Sequence, residues 1–266
     1  MKCLPIWTPA ELSSNLIELR EQLVWRVVEA QHEIATLAIV DGLEDQQILE
    51  DILEDSKPPM PEEVEGLHYL LATPFRYRPV DGASGNDKGS RFRRSGSPDG
   101  VFYGSEQPET CAYETAFYRA LFFVESPGLA YPAGGISLSA FSTTISSSMV
   151  LDLTMHPTLR PFAEAWEDIA NYEACQKLAE AARSAGVQVI AYKSVRDPEG
   201  RINYAVLDPD AFHSRRILAQ QTWSCVLTEA AVYMHCECPK QTLEIPRVNL
   251  EADPRYQRCI VDNDAA

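Results

Sequence analysis

The sequence predicts an α+β fold in which strands and helices are mixed without regular alternation. Apolar residues recur at three- and four-residue steps in several segments, which is the spacing of amphipathic helices. Other short runs are rich in valine, isoleucine and aromatic residues and are bounded by turn residues, as strands are. Because these segments do not repeat as strand, helix and parallel strand, the sequence favours the α+β class over a regular α/β fold.

The composition is that of an ordinary globular protein: 266 residues, 45% of them hydrophobic and 23% charged. This length suits one large domain, or one domain with an extension. No apolar run reaches the roughly 18 to 20 residues that a membrane span requires, and the N-terminus has no apolar core of signal-peptide length. We therefore expect a cytoplasmic protein without membrane contact. The seven scattered cysteines fit no disulfide framework.

The charge balance argues against direct nucleic-acid binding. The chain has 23 basic and 39 acidic residues, so its net charge is 23 − 39 = −16, and such a surface repels a polyanion. The densest basic cluster consists of Lys88, Arg91, Arg93 and Arg94. This cluster is large enough to hold one pyrophosphate and too small for a duplex.

Residues 1–72 are predicted to form an N-terminal helical extension. In residues 9–38, five apolar residues follow helical spacing: Leu12, Leu16, Leu19, Leu23 and Val27. A second helix is predicted over residues 43–53, with an acidic solvent face, and it ends at the proline-rich stretch 55–61. Residues 62–71 add a short third helix.

The next segment changes from helical to strand composition. Residues 75–78 form a predicted strand, and a loop rich in glycine, serine and aspartate follows over residues 81–90. Residues 101–103 form the next strand. A helix then begins at Pro108, a favourable first-turn residue, and runs to about Phe122.

The remaining elements follow in irregular order. They are strands over residues 135–141 and 149–153, a long helix over 159–185, strands over 187–192 and 203–207, and one or two strands within 217–236 before a weakly structured tail.

Three stretches of the chain carry the residues that point to chemistry. They are Gly89-Ser90-Arg91-Phe92-Arg93, then Gly100-Val101-Phe102-Tyr103-Gly104 with Ala112-Tyr113-Glu114, and Tyr192-Lys193-Ser194-Val195-Arg196. In order, they supply an arginine, a tyrosine, a glutamate and a serine near the edges of predicted elements. Tyr103 follows Arg91 by 12 residues (103 − 91), and Glu114 follows Tyr103 by 11 residues (114 − 103). This ordered set resembles the RES family, named for its Arg, Glu and Ser, over roughly residues 74–212.

The resemblance implies a fold related to ADP-ribosyltransferases, with NAD bound in a cleft between two small sheets. It also implies that residues 73–266 form a RES domain with a C-terminal tail, in which small mixed sheets are flanked by helices. RES toxins degrade NAD at the nicotinamide–ribose bond, by hydrolysis or phosphorolysis. They are usually paired with an Xre-like helix-turn-helix antitoxin in a type II toxin–antitoxin system.

Two alternatives to NAD degradation stay open. One is transfer of ADP-ribose to a protein target, and the other is a non-catalytic protein-interaction module. The extension is absent from shorter family members and has three open roles: capping the site, forming a homo-oligomer, or seating an antitoxin.

Residue chemistry supports catalytic roles for Glu114, Arg91 and Tyr103. Cleavage of NAD passes through an oxocarbenium-like state, which a carboxylate near the ribose stabilises, and Glu114 lies on a largely apolar helix. Arg91 suits a pyrophosphate through its bidentate fork. Tyr103 suits the cationic nicotinamide ring, a contact worth about 0.5–2 kcal/mol. Taken singly, each also fits a simpler role: a solvated helix glutamate, a loop arginine in water, and a packed core tyrosine.

Four further residues are predicted to bind substrate: Arg76, Arg78, Ser194 and Arg196. Arg76 and Arg78 are alternatives for the phosphate contact, and Ser194 is placed to hydrogen-bond the carboxamide or the ribose. No histidine is placed to activate Ser194 as a nucleophile, and a strand-end serine bonded to backbone is the simpler alternative. NAD is expected as the substrate with no metal, since the His and Cys residues of 235–238 lack the second ligand pair of a zinc site.

Overall fold

The chain folds around one eight-stranded sheet in a computed structural model that describes residues 8–30, 42–76, 89–126 and 128–264. The strands are β1 (Ile17–Glu29), β2 (Phe102–Ser105), β3 (Ile136–Asp152), β4 (Val189–Lys193), β5 (Ile202–Val206), β6 (Ala219–Leu227), β7 (Ala231–Cys236) and β8 (Gln241–Pro246). The helices are α1 (Pro9–Ser13), α2 (Leu43–Asp55), α3 (Tyr69–Arg76), α4 (Pro108–Val124), α5 (Ala163–Trp166), α6 (Glu173–Ser184), α7 (Arg247–Glu251) and α8 (Pro254–Asp264). Short 3₁₀ turns occupy Glu62–Val64, Arg160–Phe162 and Pro209–Ala211.

The sheet combines a closed ring with an extension. Its strand order is β1-β2-β5-β4-β3-β6-β7-β8, and a further pairing of β1 with β3 closes the first five strands into a ring. Strands β6, β7 and β8 continue from β3 as an antiparallel meander. The α+β class is therefore confirmed. The strands form one continuous hydrogen-bonded sheet instead of two separate small ones.

The long strand β3 joins the two parts of the sheet. Residues 136–142 pair with β6, residues 150–152 run parallel to β4, and β1 pairs along most of the length between them. The two strands predicted at 135–141 and 149–153 are thus one strand. The serine- and threonine-rich stretch between them stays extended because β1 pairs with its backbone.

The helix predicted over residues 9–38 is wrong beyond Ser13. Helix α1 ends there, and residues 17–29 form β1, which pairs with β2 and β3; residues 31–38 lie outside the described residues. Val24 is the one fully buried residue of β1, at 1% exposure, whereas the neighbouring Leu23 is 39% exposed. Pairing with a distant strand has overridden the helical spacing of the leucines. The division of the chain at residue 72 stays a prediction.

Three other predictions need correction. Residues 75–76 end helix α3 instead of starting a strand, and residues 77–88, including Arg78 and most of the predicted loop, lie outside the described residues. The helix predicted over 159–185 is broken by a loop at residues 167–172, where the Asp168 side chain accepts hydrogen bonds from the backbone N–H groups of residues 170 and 171. The predicted tail contains β8, α7 and α8.

The core is shared between the two parts of the sheet. Helix α4 packs on the meander through Phe117, Trp223 and Met234, and α6 packs on the ring through Leu151 and Leu178. The helices predicted at 43–53 and from Pro108 are confirmed as α2 and α4. Among the described residues, no helix has the length and apolar character that crossing a membrane requires.

Candidate active site

A cavity of about 430 Å³ opens between helix α4 and strands β1, β2 and β5. Its walls are lined by Arg26, Val27, Ser90, Arg91, Tyr103, Gly104, Ser105, Cys111, Glu114, Thr115, Tyr118, Arg119, Phe122, Tyr192 and Asn203. The structure therefore brings together all three residues that were predicted to be catalytic: Arg91, Tyr103 and Glu114. Their side chains come from a turn, a strand and a helix respectively.

Glu114 is held by two hydrogen bonds to the same carboxylate oxygen. Its Oε1 accepts from Ser194 Oγ at 2.7 Å and from Asn203 Nδ2 at 2.8 Å. Asn203 is itself oriented, since its Oδ1 accepts from Ser105 Oγ at 2.5 Å. The other oxygen of Glu114, Oε2, has no hydrogen-bond partner among the described residues. One oxygen thus fixes the carboxylate, and the second remains for a ligand.

Ser194 lies behind Glu114 instead of on the cavity wall. Its hydroxyl donates to Glu114 and accepts from the backbone N–H groups of Arg196 and Asp197 at 3.2 and 3.1 Å. The side chain is 1% exposed. A hydroxyl engaged in this way positions the carboxylate and is poorly placed to act as a nucleophile.

Arg91 is anchored through one side of its guanidinium. Nη1 donates to the carbonyl oxygens of Trp166 at 2.7 Å and Asp168 at 2.9 Å, and the group lies 4.5 Å from the ring centre of Tyr172. Nε and Nη2 have no hydrogen-bond partner within the described parts of the chain. The Arg91 guanidinium is therefore oriented by Trp166 and Asp168, at the break in the predicted long helix, and its Nε and Nη2 can donate to an anion.

Tyr103 is tied to the same turn as Arg91. Its hydroxyl oxygen accepts from the backbone N–H of Phe92 at 3.0 Å and shares a hydrogen with Ser90 Oγ at 2.7 Å. Burial raises the pKa of Tyr103, so the phenol is neutral at physiological pH. The turn requires glycine at its start, since Gly89 has φ +69° and a Cβ there would lie 2.8 Å from the Arg93 carbonyl oxygen.

Two of the predicted substrate-binding arginines, Arg76 and Arg196, are not among the residues that line the cavity. Arg76 is buried, donating to the Pro58 carbonyl oxygen at 2.5 Å and to Glu54 Oε1 at 2.6 Å. Its helix α3 directs it toward the end of α2. Arg196 donates to Asp253 Oδ2 at 2.5 Å and lies 3.6 Å from the ring centre of Phe117. Arg78 lies outside the described residues.

Sequence reasoning missed several polar residues of the site, among them Arg26 and Asn203. Arg26 comes from β1, where its guanidinium lies 4.9 Å from the ring centre of Phe102. Burial lowers the pKa of Arg26 to about 10, which leaves it protonated at neutral pH. Asn203 comes from β5, where it is a buried amide in an otherwise largely apolar strand. A polar residue in such a strand is the signal that could have identified it.

The cavity offers little support for thiol or serine–histidine chemistry. Burial raises the pKa of Cys111 to about 12, and its Sγ donates to the Trp25 carbonyl oxygen at 3.0 Å, so the group stays a thiol. No histidine is among the lining residues that the structure describes. What remains is an oriented carboxylate in a cavity that three arginines also line, and this combination suits a ligand carrying both an anionic group and a developing cation.

A family model of the RES domain matches residues 60–228, which is more than half of the chain. The chain belongs to the RES family. The RES match contains Arg91, Tyr103, Glu114 and Ser194, whereas Arg26 precedes it and Asp253 follows it.

One solved structure similar to this RES-family chain is the toxin–antitoxin complex MbcT–MbcA of M. tuberculosis. The similarity covers 92% of this chain and 94% of that one, with 10% sequence identity and a TM-score of 0.43. No curated protein matches the sequence.

Proposed function

We propose that this RES-family chain cleaves NAD at the bond between nicotinamide and ribose, and that it acts as the toxin of a type II toxin–antitoxin system. The observation that carries the proposal is the shared cavity of Glu114 and Arg91. Both groups are oriented, Glu114 through Oε1 and Arg91 through Nη1, and the remaining polar atoms, Oε2, Nε and Nη2, have no hydrogen-bond partner among the described residues.

The bond to be broken explains why a single carboxylate suffices. Nicotinamide carries a positive charge in NAD and leaves as a neutral amide with the bonding electron pair, so no general acid is needed. The ribose C1′ develops positive charge, which the Glu114 carboxylate stabilises. An oxygen of water or phosphate then forms the new bond to C1′. With water, the displaced proton passes to Glu114 or to solvent.

The cations of the cavity suit the pyrophosphate of NAD. Arg26, Arg91 and Arg119 line one cavity in a chain whose net charge is −16, although Arg119 also pairs with Glu29 at 2.5 Å. Such a local reversal of sign attracts an anionic ligand that the rest of the surface repels. The volume of about 430 Å³ lies within the range of roughly 300–1,000 Å³ that small-molecule sites occupy. Tyr103 supplies an aromatic wall for the cationic ring.

Product analysis tests this proposal. Purified protein is incubated with NAD in buffer with and without inorganic phosphate, and nicotinamide and the second product are separated and identified by mass spectrometry. Release of nicotinamide with ADP-ribose indicates hydrolysis, and release with ADP-ribose phosphate indicates phosphorolysis. If neither product forms and no protein is labelled from tagged NAD, the proposal is wrong.

The biological role is tested by expression. Induction of the wild-type chain should lower cellular NAD and stop growth, and Glu114→Gln should abolish both effects. Co-expression of a helix-turn-helix protein encoded beside it should restore growth. Normal growth and normal NAD content on induction of the wild-type chain would contradict a toxin.

ADP-ribose transfer to a protein is the second candidate function. Tyr118 and Phe122 line the cavity and are 47% and 49% exposed, so aromatic side chains at its edge are available to a macromolecular acceptor. Incubation of cell lysate with labelled NAD separates the two candidates. Transfer gives labelled protein bands that depend on Glu114, whereas hydrolysis or phosphorolysis gives only small labelled products.

A further inference from the structure

We propose that Asp253 and Arg255, which lie beyond the RES match, are positioning residues for Arg91. They act through the loop of residues 167–172, called here the 167–172 loop. The inference rests on the proposed function, because that function assigns Arg91 to the phosphates of NAD. It gives a role to a C-terminal segment that the family match does not cover.

The first step is the dependence of Arg91 on the 167–172 loop. Its Nη1 donates to the carbonyl oxygens of Trp166, directly before the loop, and Asp168, within it. The ring of Tyr172, at the other end of the loop, lies against the guanidinium at 4.5 Å. A shift of this loop would therefore turn or release the Arg91 guanidinium, which lines the cavity.

The second step is the attachment of the loop to the C-terminal segment. The carbonyl oxygen of Ile169 accepts hydrogen bonds from Arg255 Nη2 at 2.8 Å and from Arg196 Nη2 at 2.9 Å. The Arg255 guanidinium also lies 5.3 Å from the ring centre of Tyr172. Arg255 thus contacts both the middle and the end of the loop.

The third step is the carboxylate that holds both guanidinium groups. Asp253 is fully buried and accepts from Arg255 Nη2 at 2.9 Å, from Arg255 Nε at 3.1 Å and from Arg196 Nη2 at 2.5 Å. A buried ion pair contributes little net stability compared with apolar packing, because both charges lose their hydration. The ion pairs of Asp253 matter here for their geometry, because they hold the guanidinium groups of Arg255 and Arg196 so that both donate to the Ile169 carbonyl oxygen.

The network also reaches the cavity wall from a second side. The hydroxyl of Tyr172 shares a hydrogen bond with that of Tyr118 at 3.0 Å, and Tyr118 lines the cavity. The contacts therefore run from Asp253 through Arg255 to Tyr172, and from there to both Arg91 and Tyr118. The C-terminal segment sets the position of two residues around the proposed NAD site.

Replacement of Arg255 by lysine is the central variant. Lysine keeps the charge, but its single ammonium cannot match the two Asp253 oxygens and the Ile169 carbonyl as the guanidinium does. In the purified full-length protein, Arg255→Lys should raise the KM for NAD by about threefold to tenfold and change kcat by less than about twofold. Backbone amides of the 167–172 loop should exchange with deuterium faster than in the wild type.

The matched control is Arg247→Lys. Arg247 lies in the same C-terminal segment and pairs with Glu251 at 2.7 Å. It is not among the residues that line the cavity. This variant should leave KM, kcat and loop exchange unchanged. An equal KM increase in both variants would mean that any loss of a C-terminal ion pair has the same effect, and it would overturn the proposal.

A double-mutant cycle separates positioning from general stability. If Arg255 acts through Arg91, the Arg91→Lys/Arg255→Lys variant should have nearly the KM of Arg91→Lys alone, within about twofold. Independent effects would instead multiply, and multiplication overturns the proposal. Should Arg255→Lys fail to fold, Tyr172→Leu removes the ring between Arg255 and Arg91 while leaving the ion pairs intact. An unchanged KM in Tyr172→Leu would equally overturn it.

The exchange measurement needs no NAD turnover, so the two proposals can fail separately. If the wild type releases no nicotinamide, the proposed function fails, and faster loop exchange in Arg255→Lys still supports the attachment of the loop. If the wild type turns over NAD but Arg255→Lys matches it in both KM and exchange, the positioning proposal fails alone.

Discussion

Ser194 donates its hydroxyl hydrogen to Oε1 of Glu114 across 2.7 Å, although the two residues are 80 positions apart in the chain. The helix that carries Glu114 and the strand end that carries Ser194 are brought together by the packing of α4 against the sheet. Together with the hydrogen bond from Asn203, this contact holds Oε1 of the carboxylate in place. The hydrogen bond explains why a serine far along the chain belongs to the same site as the glutamate.

Ser194→Ala should lower kcat for NAD cleavage by about tenfold to 100-fold and leave KM nearly unchanged. The reason is that the variant removes one of the two donors that orient Glu114 but no group of the cavity wall. Steady-state kinetics of nicotinamide release measure the effect. Ser184→Ala, which removes an exposed serine at the end of α6, is the control. An increase confined to KM would instead place Ser194 in direct contact with NAD.

Glu114→Gln should lower kcat by about 100-fold to 1,000-fold while NAD affinity stays within about threefold. Glutamine keeps the shape and the acceptor oxygen but has no charge to stabilise the developing cation. Calorimetry gives the affinity and nicotinamide release gives the rate. Glu109→Gln, in the first turn of the same helix, should behave as the wild type. Near-normal turnover in Glu114→Gln would remove the carboxylate from the mechanism.

Arg91→Lys should raise the KM for NAD by about tenfold, which corresponds to about 1.4 kcal/mol. Lysine cannot bond the Trp166 and Asp168 carbonyls and a phosphate with the same fixed fork. Arg94→Lys is the matched control, because Arg94 lies three residues after Arg91 and makes an exposed ion pair with Glu180. Equal KM values for the two variants would mean that Arg91 does not contact the phosphates of NAD.

Cys111 should resist alkylation despite lining the cavity. Its pKa is raised to about 12 by burial, so only about one thiol in 10⁴ is ionised at pH 8, and the nucleophilic thiolate is nearly absent. Iodoacetamide at pH 8 should label the exposed Cys238 and spare Cys111, as measured by peptide mass spectrometry. Rapid labelling of Cys111, accompanied by loss of NAD cleavage, would contradict this description of the cavity.

Asp253→Asn should destabilise the fold in a pH-dependent way. Burial acts to raise the pKa of Asp253, but hydrogen bonds from Arg255 and Arg196 outweigh it, and the pKa lies below its ordinary value of 3.8. A lowered folded-state pKa stabilises the protein above the unfolded-state pKa, and this contribution is lost as the pH falls through the folded-state value. Loss of one partner of a buried pair costs about 3–5 kcal/mol at neutral pH.

Urea unfolding at several pH values measures this difference. The gap in unfolding free energy between wild type and Asp253→Asn should be constant above about pH 5 and should shrink as the pH falls below 3.8. A gap that is independent of pH down to full protonation would show that the Asp253 charge does not contribute.

The sequence was sufficient to predict the part of the site that local patterns define. Helix α4 begins at Pro108 and carries Glu114 on an apolar surface, and the strand before it ends close to Tyr103. Local signals define both elements: turn residues precede the strand, and a proline occupies the first turn of the helix. The expectation that Arg91, Tyr103 and Glu114 share one cavity came from the resemblance to the RES family, which the order and spacing of the motifs indicated.

The sequence was misleading where distant pairing decides local structure. Strand β1 is extended because it pairs with residues 138–150, more than 100 positions away, and no local pattern reports such a partner. Since β1 was predicted to be helical, Arg26 could not be placed in the site. The 167–172 loop was missed for a different reason: apolar spacing continues through it, while the Asp168 side chain binds the backbone that a helix would use.

The most direct measurement is a crystal structure of the Glu114→Gln variant with NAD bound. The account predicts that the nicotinamide ribose lies with C1′ next to residue 114, that the pyrophosphate contacts Arg91, and that the nicotinamide ring lies against Tyr103. NAD bound outside this cavity, or bound with its nicotinamide ribose remote from residue 114, would contradict the account.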